Sequence, residues 1–302
     1  MGWTGSLRVT AYSAVVMAAL LPVTLVQAQS LAASRSGQSL GGGNDMEHVT
    51  RAAKPAGDVV GHARCQVAGP GEPKAAGALP HIAAKLTTGK PVVIVAFGSS
   101  STQGYGASAP EFNYPNRLAA QLRKHYPASE ITVINAGVGG EDAPEMMKRL
   151  QSSVLDPHPD LVIWQVGTNA VLRNLDPTAT VHLVEQGVVR IQAAGSDIVL
   201  VDPQYSPRIN ERAPLAGSMV RELGRAAAMH HVAVFSRFAV MRDWHEKLMI
   251  PVEDFVIGDG LHMNDWGYGC FAQLLANDII LSVDQVRFGG DVRGGVRKYR
   301  PL

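Results

Sequence analysis

Short, continuous apolar runs recur along the middle of the chain, and each is followed by a stretch whose apolar positions repeat at helical spacing. Pro91–Phe97 (PVVIVAF) has no polar position, the pattern of a strand buried on both faces of a parallel sheet. Residues 131–135, 161–166, 198–201 and 232–235 repeat the signal. Helical patterns are predicted between and after them over 114–125, 144–155, 178–194, 214–230 and 266–281. This alternation predicts an α/β fold with right-handed crossovers and helices on both faces of a parallel sheet. Folds of this type bind ligands beyond the carboxyl ends of their strands, so those ends are where chemistry is sought.

The flanks of this region read differently. Arg8 precedes an apolar run from Ala11 to Val26 that closes on Val26-Gln27-Ala28, the order of a cleavable leader over residues 1–28. The run is interrupted by Pro22 and is short for a membrane span, so export to the periplasm or the medium is expected, with no stable membrane span afterwards. Residues 29–80 carry Gly41-Gly42-Gly43 and Gly69-Pro70-Gly71 and read as a linker. The globular domain is expected over 81–285 and a solvated basic tail over 286–302. In an oxidising compartment Cys65 and Cys270 can pair, making Cys65 a tether; two buried thiols are the alternative. The 302 residues are 46% hydrophobic and 18% charged, which excludes a disordered or fibrous chain. With 27 basic against 26 acidic side chains, no net field favours nucleic acid, and the oligomeric state stays open.

Four strand ends carry candidate chemistry. After the first strand, Gly98-Ser99-Ser100-Ser101-Thr102-Gln103-Gly104 can expose a hydroxyl at a strand-to-helix turn, or be an ordinary loop or phosphate cradle. After the second comes Asn135-Ala136-Gly137-Val138-Gly139-Gly140-Glu141-Asp142, whose glycines permit close backbone approach or simply a tight turn. The third is followed by Gly167-Thr168-Asn169, which places an amide donor at the rim. Finally, Asp259 and His262 are spaced so that the carboxylate can orient the imidazole and leave one ring nitrogen as a base; a surface ion pair has the same spacing. No histidine falls in a zinc-ligand spacing, and neither a Gly-x-Gly-x-x-Gly after the first strand nor a P-loop lysine is present. No metal, nucleotide or other cofactor is therefore expected.

Taken in chain order, Ser, Gly, Asn and Asp-x-x-His resemble the four blocks of the SGNH (GDSL-type) hydrolase family over residues 91–283. The resemblance implies a flavodoxin-like three-layer α/β/α sandwich with a five-stranded parallel sheet. It implies Ser100 as nucleophile, His262 as base and Asp259 as its acid partner. The backbone N–H groups of Ser100 and Gly140 and the side-chain amide of Asn169 would form the oxyanion hole. Two positions depart from the family pattern: Ser99 replaces the usual aspartate before the nucleophile, and Ala170 replaces the second carboxylate of Gly-x-Asn-Asp. The implied activity is hydrolysis of short acyl esters, acetyl for example, with a polysaccharide as one candidate carrier. An acyltransferase or a lipase or thioesterase would use the same triad, and a carbohydrate- or envelope-binding module that has lost catalysis is the non-enzymatic alternative. Gln204 and Tyr205, following the fourth strand, are expected to contact substrate at the rim. Met146, Met147, Trp164 and Tyr205 are either an acyl pocket or plain core.

Overall fold

The computed structural model describes Gly2, Cys65 and residues 79–287. The expected leader, all of the expected linker before residue 79 except Cys65, and the tail from residue 288 lie outside the described residues. Five strands form one all-parallel sheet: β1 (Val92–Gly98), β2 (Ile131–Gly137), β3 (Leu161–Gln165), β4 (Asp197–Val201) and β5 (Ala233–Phe235). Their order across the sheet is β2-β1-β3-β4-β5. The chain passes from β1 to β2 on one side and returns to β3 on the other. A crevice therefore opens at the carboxyl ends of β1 and β3, the switch point of a flavodoxin-like sheet.

Alternation along β1 divides the core. Val92, Ile94 and Ala96 face the layer of α1 (Pro80–Leu86), α3 (Tyr114–His125) and α10 (Asp265–Arg287), joined by Leu118, Leu122, Phe271 and Leu275. Val95 and Phe97 face α4 (Ala143–Leu150), α6 (Pro177–Ala193) and α8 (Ala213–His230), joined by Leu150, Val184, Val188 and Leu223. Three short helices follow strand ends or lead into longer helices: α2 (Ser100–Gln103), α5 (Thr168–Leu172) and α7 (Pro207–Asn210). α9 (Arg237–Glu246) follows β5. The single helix expected over 144–155 is instead α4 followed by a π-turn over Gln151–Leu155, closed by the Asp156 N–H on the Gln151 carbonyl.

Cys65 and Cys270 are joined by a disulfide across a separation of 205 residues. Closing so long a loop restricts the unfolded chain, which in the chain-entropy model contributes at most about 4–5 kcal/mol. The Cys65→Ser/Cys270→Ser variant is expected to unfold at markedly lower urea concentration; an unchanged midpoint would show that the tether adds nothing to stability.

At the opposite end of the sheet from the carboxyl edge, Asp197 begins β4. Its Oδ2 accepts the Ile82 N–H at 2.9 Å. Burial pushes its carboxyl up from 3.8 to about 6, and the Ile82 hydrogen bond and nearby His81 offset this only in part. A carboxyl raised in the folded state favours folding fully below its unfolded value, and that contribution is lost as pH rises through about 6. Asp197→Asn keeps an acceptor for Ile82 but cannot ionise. Between pH 4 and 7 its melting temperature should therefore decline less than that of the wild type.

Candidate active site

The turn after β1 is held by an uncharged hub. Gln165, the last residue of β3, accepts at Oε1 from the Ser99 N–H and the Ser99 hydroxyl, each at 3.0 Å, and from the Thr102 hydroxyl at 3.2 Å. Ser99 thereby anchors the turn to the neighbouring strand without a carboxylate, which accounts for a serine at the position where the family pattern has aspartate. β2 presses on the same turn from the other side. A Cβ on Gly137 would lie 2.1 Å from the Gln103 nitrogen and 2.6 Å from the Thr102 carbonyl carbon, so only glycine lets β2 approach α2 this closely.

Ser100 opens α2, and its Oγ lies 2.8 Å from Nε2 of His262. Nδ1 of the same ring lies 2.5 Å from Oδ2 of Asp259. The second carboxylate oxygen, Oδ1, accepts the backbone N–H groups of Leu261 at 2.9 Å and His262 at 3.0 Å, fixing the segment as a compact Asx-type turn. Burial works against ionisation of Asp259, but the bonds from the His262 ring, His262 N–H and Leu261 N–H outweigh it and hold the carboxyl below its ordinary range. With Asp259 ionised, Nδ1 carries the ring hydrogen and Nε2 is the acceptor facing the Ser100 hydroxyl.

The loop after β2 runs beside this line of atoms. A Cβ on Gly139 would stand 3.9 Å from Cβ of Ser100. Three long side chains hold the loop. Arg149, lying over the Phe97 ring, pairs with Glu141 at 2.6 Å and donates to the carbonyls of Ala136 and Gly98. Arg173 donates to the Gly140 carbonyl at 2.5 Å. Asn169 donates from Nδ2 to the Glu141 carbonyl at 2.7 Å, which leaves its second amide hydrogen for a ligand. Ser100, Gly140, Asn169, Asp259 and His262 are thus collected at one edge of the sheet.

Gln204 is not where the sequence reading put it. It is 1% exposed, accepts the Thr168 hydroxyl at 2.9 Å and donates to the Leu261 carbonyl at 3.3 Å. Buried this way it links the turn before Asn169 to the turn carrying His262, and it has no open face for substrate. Thr168 is itself bonded by Nη2 of the fully buried Arg237, whose Nε donates to the Asp202 carbonyl. Burial pulls the Arg237 guanidinium down to about 10 and pushes the Asp202 carboxyl up to about 7. Tyr205 is half-buried, its hydroxyl 3.4 Å from Glu246. Met146 and Trp164 are core, joined by the indole N–H on the Met146 sulfur at 3.3 Å, and Met147 is half-buried against the same core.

Gln165, Arg149, Arg173, Arg237 and Tyr105 went unassigned in the sequence. Gln165 did leave a trace, as the one polar residue inside the 161–166 apolar run. The arginines left none, because each bonds backbone atoms distant in sequence, Arg149 and Arg237 from α4 and α9 and Arg173 from the residue after α5. Among the described residues, no group of three or more His, Cys, Asp or Glu is placed to hold a metal ion, and no helix is long and apolar enough to cross a membrane.

A family model described as the Non-GDSL lipase-like family matches residues 64–285. The chain belongs to that family. By family it is an ester-hydrolysing enzyme of the SGNH type. An arylesterase of Vibrio mimicus is 23% identical over 188 residues, 62% of this chain and 88% of the relative. Among solved structures, a two-domain esterase (CEX) active on acetylated mannans superposes with a TM-score of 0.59 at 23% identity, covering 76% of this chain. This chain spans only 58% of that protein's length. A lipase/acylhydrolase from Enterococcus faecalis superposes with a TM-score of 0.51 at 26% identity, over 62% of this chain and 95% of its own. The α/β fold with its five-stranded parallel sheet is shared with these neighbours.

Proposed function

We propose that the protein is an exported serine esterase that removes short acyl groups, acetyl among them, from a polysaccharide through an acyl-enzyme. The observation that carries this reading is the unbroken line Ser100 Oγ, His262, Asp259, with contacts of 2.8 and 2.5 Å at the crevice of the sheet. His262 Nε2 takes the Ser100 proton as Oγ bonds to the acyl carbonyl carbon. Asp259 keeps the ring in the required tautomer and stabilises the imidazolium that forms. Charge on the carbonyl oxygen is received by the N–H groups of Ser100 and Gly140 and the free amide hydrogen of Asn169. The imidazolium then returns its proton to the departing alcohol oxygen. A water deprotonated by His262 next attacks the acyl-enzyme, and the acid leaves as the Ser100 hydroxyl is restored.

Short acyl groups are favoured because, of the four candidates for an acyl pocket, Met146 and Trp164 are packed in the core and Met147 and Tyr205 are half-buried against it. A polysaccharide fits the company of a structural neighbour active on acetylated mannans. Export rests on the leader-like first 28 residues, and the secreted form is expected to begin at Gln29. A series of p-nitrophenyl esters from acetyl to dodecanoyl tests the acyl preference: kcat/KM is expected to fall with chain length beyond butanoyl. A maximum at octanoyl or longer would replace this reading with a lipase.

A further inference from the structure

Besides Ser100 and Asp259, the His262 ring has a third neighbour. The ring of Tyr105 lies with its centroid 4.5 Å from that of the imidazole, the two planes inclined by 53°. Tyr105 is 58% exposed, yet its backbone is pinned. Its N–H donates to the Ser100 carbonyl at 2.9 Å, and its carbonyl accepts the hydroxyl of buried Tyr268 at 2.6 Å. Gly106 follows with φ +94°, where a Cβ would meet the Met263 carbonyl oxygen at 2.5 Å. A ring on a pinned backbone, beside the imidazole and open to water, is available to a substrate held at His262.

The chemistry says which part of a substrate it meets. The imidazolium must hand its proton to the departing alcohol oxygen, so the alcohol half of the ester lies beside His262, while the carbonyl oxygen is drawn toward Gly140 and Asn169. From Gly106 an open groove of about 410 Å³ continues past Ser108, Glu253, Asn264, Asp265 and Trp266. Its wall is braced by Asp265, whose carboxylate accepts both the N–H and the hydroxyl of Ser108. The described lining holds carboxylates and an indole, and neither Lys nor Arg. An aromatic face suits the C–H face of a sugar ring and the Glu253 carboxylate suits its hydroxyls, while Asp265 and Asn264, bonded to Ser108, Gly267 and the Asp254 carbonyl, shape the wall. An anionic alcohol would be repelled.

We infer that Tyr105 and the groove beyond it form the alcohol-side subsite, which selects an uncharged sugar ring as leaving group. This inference rests on the esterase reading above. Wild-type, Tyr105→Phe and Tyr105→Ala proteins would be assayed on an acetylated xylo-oligosaccharide and on ethyl acetate, whose alcohol has no ring. The ratio of kcat/KM between the two esters is expected to fall about tenfold in Tyr105→Ala, chiefly through KM, and to persist in Tyr105→Phe. Equal losses on both esters in Tyr105→Ala would overturn the inference, leaving Tyr105 as a residue that only positions His262. A wild type that cleaves ethyl acetate at least as well as the acetylated sugar would overturn the sugar assignment while the esterase reading stands. Failure on both esters, together with no labelling by a fluorophosphonate, would instead remove the esterase reading and this inference with it.

Discussion

Ser100→Ala is expected to lower kcat on p-nitrophenyl acetate by at least about 10⁴-fold, and His262→Ala by a similar factor. In the proposed mechanism the two residues act as one unit: the hydroxyl is a poor nucleophile until Nε2, 2.8 Å away, takes its proton. Once either is gone the other has nothing to do, so the double variant should be no slower than the worse single variant. The remaining rate would come from binding and from the donors around Gly140 and Asn169. Steady-state kinetics on the three purified variants checks this directly, and effects that multiplied in the double variant would separate the two residues mechanistically.

The second large effect is expected at Asn169. Its free amide hydrogen is assigned to the charge that appears on the carbonyl oxygen only as the bond to Ser100 forms. Asn169→Ala should therefore lower kcat about 10²–10³-fold, roughly 2.7–4 kcal/mol, with KM little changed. The upper end of that range is expected here. The same side chain also bonds the Glu141 carbonyl at 2.7 Å, so truncation additionally loosens the loop that carries Gly140. Asn169→Asp should be at least as damaging, because it offers a negative oxygen to a negative oxygen. A loss confined to KM in either variant would assign Asn169 to substrate binding instead.

The strand ends that carry Ser100 and Asn169 were legible in the sequence, because 91–97 and 161–166 are apolar runs that read as buried strands. The choice of Ser100 and Asn169 within those turns came from the resemblance to the SGNH family, since the apolar pattern alone leaves the turns open to ordinary loop chemistry. The residues that hold them in place were not legible. Arg149 reaches three different segments from α4, and Arg237 reaches Thr168 from α9, contacts that depend on how helices pack rather than on any local spacing. Gln204 was misplaced for a related reason. A polar residue after a strand usually marks the rim, but here Thr168 and Leu261 supply partners for a buried amide, so burial costs little. α1 escaped notice because its apolar face is only Ile82, Ala83 and Leu86, too short a repeat to stand out from the Ala- and Gly-rich stretch before it.

The two departures from the family pattern are compensated without a carboxylate at either position. Gln165 gathers three donors where a carboxylate would otherwise anchor the turn at Ser99. Near Ala170, the Arg237, Thr168 and Gln204 chain ties the Asn169 turn to the His262 turn. Neither arrangement adds a carboxylate to the turn, and Asp259 is bonded to the His262 ring.

The central claim is that Ser100 is a nucleophile made reactive by His262. Its most direct test is to treat the purified protein, Ser100→Ala and His262→Ala with a fluorophosphonate probe and to locate the adduct by peptide mass spectrometry. The account predicts one adduct, on Ser100, present in the wild type and lost in both variants. An adduct on Ser99 or Ser101, or labelling of Ser100 that persists without His262, would contradict it.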